Sequence, residues 1–218
     1  MLRANLRVLY LHGFASSPES RKARFFSERL HRHGVHLETP DLAKGNFSKL
    51  TITGQLQVIE EVLDNQPAVL IGSSLGGYLA ALYAQRYTSV SSLLLLAPAF
   101  RFHQLWMDRI TPEQLAAWKR DDALPFFHYG TGREEPLGYR FIEDAAAYQL
   151  LPPFRQPAMI FHGTDDTVVP IGYSAEFVQN HPNAQLVPMS SGHELTDVLD
   201  QIWCHSKDFL LGPISISE

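Results

Sequence analysis

A serine framed by small residues at the end of an apolar run is the feature of this chain that carries a mechanism. Leu70-Ile71-Gly72-Ser73-Ser74-Leu75-Gly76-Gly77 contains the pattern G-x-S-x-G with Ser74 at its centre. A serine on a sharp strand-to-helix turn needs small neighbours two positions before and after it, because side chains there would collide with the turn. Such a turn lifts the hydroxyl above a sheet. The pattern alone also fits a Gly/Ser-rich loop, so its flanks decide. Val69-Leu70-Ile71 has strand character, and Tyr78-Leu79-Ala80-Ala81-Leu82-Tyr83-Ala84 reads as a helix with a broad apolar face. Ser74 is therefore expected to act as a nucleophile.

A serine alcohol attacks poorly at neutral pH, so it needs a base within hydrogen-bond reach and an acid that holds the base in the right tautomer. Two downstream loops, each after a strand-like run, offer these in the order acid then histidine. In Ser190-Ser191-Gly192-His193-Glu194, small residues let the loop bend, and His193 is the expected base. In His162-Gly163-Thr164-Asp165-Asp166-Thr167-Val168-Val169-Pro170, Asp166 is the expected acid, with Asp165 read as a turn residue bonding local amides. Asp144 is the reserve acid. A developing oxyanion needs backbone donors. They are expected from Leu75, after the nucleophile, and from Phe14, in Leu11-His12-Gly13-Phe14 after the first strand-like run, with His12 organising that loop.

The other histidines have plainer roles. His31, His33 and His36 read as solvated at a helix end, with no carboxylate gathered beside them for a metal. His103, His128, His181 and His205 fall in insertion, loop or helix contexts, and His162 at a strand end is expected to bond its neighbouring loop. Asp41, after Pro40, reads as structural.

Positioning these residues requires alternating strands and helices, which argues for a parallel sheet covered by helices. Strands are expected at Arg7 to His12, Val35 to Thr39, Ala68 to Gly72, Ser92 to Ala97, Ala158 to His162 and Gln185 to Met189. Helices are expected at Ser20 to His33, Thr51 to Asn65, Leu75 to Arg86, Ile171 to Gln179 and Thr196 to Leu211, with Gly34 and Pro67 stopping the first two. The alternation breaks down between Phe100 and Pro157, a stretch holding Trp106, Trp118, Phe126, Phe127, Tyr129, Tyr139, Phe141 and Tyr148. An insertion there would hang over the C-terminal sheet edge, where open α/β folds bind ligands, so it reads as a cap on a pocket. The alternative is a set of helices buttressing the core. Phe14, Tyr78, Phe100, Trp106 and Tyr139 are the expected pocket residues. Arg101, Arg109, Lys119, Arg133 and Arg140 lie in or near the insertion and could meet an anionic substrate group, although solvated surface explains most of them.

The chain has 218 residues, 45% hydrophobic and 19% charged, with a net charge of −5. That suits one α/β domain, 1–218, with residues 100–157 inserted in it, and gives no electrostatic footprint for nucleic acid. The lone Cys204 has no partner for an intramolecular disulfide and reads as a packing residue. After Arg3 and Arg7 the apolar run Val8-Leu9-Tyr10-Leu11 is too short for a signal sequence, and no run reaches the roughly 20 apolar residues of a membrane span. A cytoplasmic location is expected, with no cofactor or metal.

Leu9-Tyr10-Leu11-His12-Gly13-Phe14-Ala15-Ser16-Ser17-Pro18 together with Gly72-Ser73-Ser74-Leu75-Gly76-Gly77-Tyr78 resembles the α/β-hydrolase superfamily, and within it the small bacterial YqiA-like esterases. The resemblance runs from about Val8 to Leu211. It implies a mostly parallel sheet of about six strands, and a serine esterase of short acyl chains with Ser74, Asp166 and His193 as triad and the Phe14 and Leu75 amides as oxyanion hole. The aromatic stretch from Phe100 to Pro157 departs from the shortest members. An acyl-thioesterase would use the same residues, and a non-catalytic small-molecule-binding protein on the same scaffold is the reading of another class. A dehalogenase would carry an aspartate where Ser74 stands.

Overall fold

In the computed structural model, which describes residues 6–215, the chain forms strands and helices in the order β1 (Arg7–Leu11), α1 (Arg21–His31), β2 (Leu37–Glu38), α2 (Ile52–Leu63), β3 (Ala68–Ser73), α3 (Leu75–Arg86), β4 (Val90–Leu96), α4 (Phe102–Met107), α5 (Pro112–Asp121), β5 (Leu124–His128), β6 (Arg133–Leu137), α6 (Arg140–Ala145), β7 (Ala158–Gly163), α7 (Ile171–Asn180), β8 (Ala184–Met189) and α8 (Leu199–Ser215). Arg3 lies outside the described residues. Six strands make one parallel sheet in the order β2-β1-β3-β4-β7-β8, while β5 and β6 pair as a separate antiparallel hairpin. This is the α/β-hydrolase architecture expected from the sequence.

Helices cover both sheet faces, and the strands show why. Leu93 and Leu95 of β4 pack into one apolar cluster with α2 and α3, while Leu94 and Leu96 pack into another with α1 and α8. A strand buried on both sides reads as a continuous apolar run, as Leu93-Leu94-Leu95-Leu96 does. From β1 the chain steps outward to β2, then returns past β1 to β3. β1 and β3 therefore lie side by side where the strand order reverses, and the loops leaving their carboxyl ends meet there.

That meeting is sterically tight. A Cβ on Gly76 would lie 2.0 Å from the Leu11 carbonyl oxygen, and one on Gly72 would lie 2.5 Å from the Gly76 oxygen. The first turn of α3 thus rests directly on the end of β1.

The structure also corrects several expectations. Helix α2 stops at Leu63 because Asp64 and Asn65 turn left-handed, before Pro67 is reached; α1 ends at His31, ahead of Gly34. Val35 to Thr39 pairs as a strand at Leu37–Glu38 alone. Residues 100–157, for which no elements are drawn from the sequence, hold three helices and a hairpin, and their buried Phe102, Trp118, Leu137, Phe141 and Ile142 belong to the same cluster as α2 and α3. Cys204 is exposed rather than packed.

Because Leu11 is main chain in a buried strand, Gly76→Ala should destabilise the fold by about 1–3 kcal/mol, the cost of overpacking. Gly172→Ala, where an added Cβ meets nothing within 4 Å, should leave stability unchanged or raised. Denaturant unfolding of both variants checks this, and a Gly76→Ala protein as stable as the parent would contradict the packing argument.

Candidate active site

Ser74 sits between β3 and α3 with φ 53° and ψ −116°, a conformation costing about 1–3 kcal/mol for a residue with a side chain. Four bonds hold it there. Its N–H donates to the Leu96 carbonyl at 2.9 Å, and its own carbonyl accepts from Gly77 at 3.0 Å, Tyr78 at 3.1 Å and Ala99 at 3.0 Å. Its Oγ lies 2.9 Å from Nε2 of His193, whose Nδ1 lies 2.7 Å from Oδ2 of Asp166. The carboxylate can only accept, so the imidazole proton sits on Nδ1, and Nε2 is free to accept from the serine hydroxyl. A hydroxyl bonded to an unprotonated ring nitrogen is set to lose its proton as it attacks a carbonyl.

The Asp166 side chain is fully buried. Its Oδ1 accepts from the Val168 and Val169 amides at 2.8 Å each, and Oδ2 also lies 3.1 Å from Nε2 of His162. Burial alone would raise the carboxyl pKa, but the bonds from His162, His193 and the Val169 amide outweigh it and hold the group well below the usual range. His162 is itself fixed. Its Nε2 donates to the Val169 carbonyl at 2.9 Å, and its Nδ1 lies 2.8 Å from the Ser174 hydroxyl. His162 therefore does more than bond its loop, since it also faces the Asp166 carboxylate. Asp165 stays on the exposed turn, its N–H donating to the Ser191 carbonyl.

The His193 loop is anchored from α1 by Lys22, whose buried ammonium donates to the Glu194 carbonyl at 2.9 Å and contacts its carboxylate at 3.3 Å. Burial lowers the Lys22 pKa, and Glu194 opposes that. Sequence reasoning missed this lysine, whose signal is a cation beside the apolar face formed by Ala23, Phe26 and Leu30.

His12 organises the loop after β1. The Leu42 N–H donates to its Nε2 at 3.3 Å, so its proton is on Nδ1 and donates to the Gly13 carbonyl at 3.0 Å. Burial keeps its pKa low. The Gly13–Phe14 peptide is trans, so fixing that carbonyl turns the Phe14 N–H the opposite way. Leu75, first residue of α3, has an N–H that no carbonyl of its own helix can accept. Asp41 accepts from the Ala43 and Gly45 amides in a local turn, and Asp144 binds the Thr53 amide and hydroxyl on α2, away from the serine.

A cavity of about 570 Å³ opens over Ser74. Phe14 and Trp106 line it with Phe102, Leu105, Phe126 and Val168. Tyr78, Phe100 and Tyr139 are not on its wall: Tyr78 is buried with its hydroxyl on the Gln149 carbonyl, Phe100 stacks on Phe177, and Tyr139 packs edge-on against Trp118. Phe102 and Phe126 take those places because α4 and the β5–β6 hairpin, neither expected from the sequence, direct them there. Among the described residues no three His, Cys, Asp or Glu side chains cluster to hold a metal ion, and no helix is long and apolar enough to cross a membrane.

With this geometry in place, residues 7–210 match the uncharacterised protein family UPF0227. The chain belongs to that family. It is the YqiA-like family that the two sequence motifs resembled. A stretch of 101 residues is 33% identical to monoacylglycerol lipase ABHD6 from Homo sapiens, covering 42% of this chain and 30% of that protein's length. The mouse α/β hydrolase domain-containing protein 10 superposes with a TM-score of 0.77 at 21% identity, over 93% of this chain and 88% of that one. Est1E from Butyrivibrio proteoclasticus, solved with ferulic acid bound, does so with 0.75 at 20% identity, over 92% and 88%. These solved structures share the fold.

Because Asp166 is ionised to unusually low pH when folded, its contribution to stability is complete above its unfolded value near pH ~4 and is lost as the pH falls through the depressed folded value. The stability gap between the parent and Asp166→Asn should therefore be largest above about pH 4 and shrink in stronger acid. Denaturant unfolding across that range reads it, and a gap that widens in acid would contradict the assignment.

Proposed function

We propose that this family member is a serine hydrolase acting on carboxylic esters through an acyl-enzyme. The observation that carries the reading is the unbroken hydrogen-bonded series from Asp166 through His193 to Ser74 beneath an apolar cavity. In the reaction Ser74 attacks the ester carbonyl while its proton passes to Nε2 of His193. The Phe14 and Leu75 amides take the oxyanion, and His193 returns the proton to the departing alcohol. Water, deprotonated by the same imidazole, then releases the acid. Asp166 remains a carboxylate throughout and stabilises the imidazolium.

Residues 100–157 act as a cap, and the phenylalanines and Trp106 over the serine favour uncharged acyl chains next to the scissile bond. The stretch shared with a monoacylglycerol lipase, named for an ester substrate, supports this. The protein requires no cofactor in this reading.

A fluorophosphonate probe should label the folded protein and fail to label Ser74→Ala. Asp166→Asn should lower kcat for a simple p-nitrophenyl ester by about 10⁴-fold, because the imidazole is left in the wrong tautomer. Labelling that persists in Ser74→Ala, or full turnover by Asp166→Asn, would overturn the proposal.

A further inference from the structure

Arg109 stands apart from the other arginines near it. Arg101, Arg120, Arg133 and Arg140 each pair with a carboxylate, of Glu176, Asp121, Glu135 and Glu143 respectively. Among the described residues Arg109 forms no ion pair, although it lines the cavity that contains Ser74. It is also not a loose surface side chain. Its Nη2 donates to two successive main-chain carbonyls, Thr167 and Val168, on the loop that carries Asp166. Those bonds fix the plane of the guanidinium. They leave the Nη1 and Nε donors, on opposite edges of the guanidinium, without an acceptor among the described residues, and either can give an anion a charge-assisted hydrogen bond.

The surroundings give this cation a purpose. Apart from Ser74, Arg109 and Gln114, the wall is apolar or aromatic, with Tyr129 at its open edge. Gln114 presents a second donor: its Oε1 accepts from the Thr111 N–H in the capping box of α5, which commits the oxygen and leaves the amide NH₂. An apolar cavity with a nucleophile on its wall and an orientationally fixed, unpaired cation at its exposed rim has two recognition elements of opposite kind. The long-range field of the cation attracts an anion to the rim, and a free donor of the fixed guanidinium gives that anion a charge-assisted hydrogen bond.

We propose that Arg109 determines specificity, and that the esters taken by this cavity carry an anionic group, a carboxylate being the simplest, separated from the scissile carbonyl by an apolar spacer. The inference rests on the hydrolase reading above and names the substrate class for that same site. The spacer packs against Phe14, Phe102, Trp106 and Phe126, and the anion meets Arg109 at the rim.

The test compares p-nitrophenyl hemiesters of straight-chain dicarboxylic acids with p-nitrophenyl alkanoates of equal carbon number. A second arm places the carboxylate on the alcohol side, as butyrate esters of ω-hydroxy acids against butyrates of plain alcohols. The quantity read is the ratio of kcat/KM for the anionic ester to that for its neutral match, in the parent, Arg109→Met and Arg109→Lys. The ratio should peak at one spacer length in one arm. It should fall about tenfold or more in Arg109→Met, the size of a charge-assisted hydrogen bond, and only partly in Arg109→Lys. If Arg109 merely braces the acid loop, Arg109→Met slows both members of each pair equally and the ratio stays put, which overturns the proposal. A ratio that Arg109→Met does not change in either arm does the same while leaving the hydrolase reading intact. If the parent turns over none of these esters, the hydrolase reading fails and takes this one with it.

Discussion

The contact on which the rest depends is the seating of the first turn of α3 against the end of β1. Gly76 lies so close to the Leu11 and His12 carbonyls that no side chain fits. That proximity sets Ser74 at the tip of a strained turn, and it brings the loop after β1 alongside the serine. The two amides proposed to receive the oxyanion, of Phe14 and Leu75, therefore come from strands paired in register, Leu11 opposite Gly72. Preorganised donors of this kind act without rearranging during the reaction, which is where much of the electrostatic gain in such sites originates. The strain at Ser74 is held by bonds to Leu96, Gly77, Tyr78 and Ala99, so sheet and helix stabilise it together.

The second constraint is electrostatic. A buried carboxylate is tolerable when every lone pair is used. Asp166 approaches that condition: two amides and the His193 imidazole donate to it, and the His162 Nε2–H, shared with the Val169 carbonyl, lies 3.1 Å away. The cost of burying it is offset locally, which lets it stay charged beside His193 and fix which ring nitrogen faces the serine. His162 and Ser174 extend the same network into β7 and α7, and Lys22 holds the other side of the His193 loop from α1. The loops bearing Asp166 and His193 are thus held by the sheet and by helices from both of its faces.

Much of this could be read from the sequence, for identifiable reasons. The sheet strands were visible because β-rich runs ended at turn residues, and the strand-to-helix turn was visible because its steric demands select glycine at 72 and 76. The placement of His193 and Asp166 in hydrogen-bonded series with Ser74 was legible because each follows a strand in a loop of small or turn-forming residues. The cavity wall was not. Tyr78 and Phe100 are as aromatic as Phe102 and Phe126, and which of them faces a cavity depends on the rotation of short helices and on a hairpin whose pairing, Leu124 to His128 against Arg133 to Leu137, joins proline-bearing strands without a clear alternation. Lys22 and the free donors of Arg109 are matters of tertiary packing. Lys22 left a faint trace, a cation beside the apolar face of α1, whereas no local pattern distinguishes an unpaired arginine from a solvated one.

The central claim is that Ser74, the loop after β1 and the first amide of α3 converge on one reacting carbonyl. A crystal structure of the protein after reaction with a fluorophosphonate tests it most directly. The account predicts phosphorus bonded to Ser74 Oγ, with the phosphoryl oxygen within hydrogen-bonding distance of the Phe14 and Leu75 nitrogens. An adduct on another residue, or a phosphoryl oxygen turned away from both amides, would contradict it.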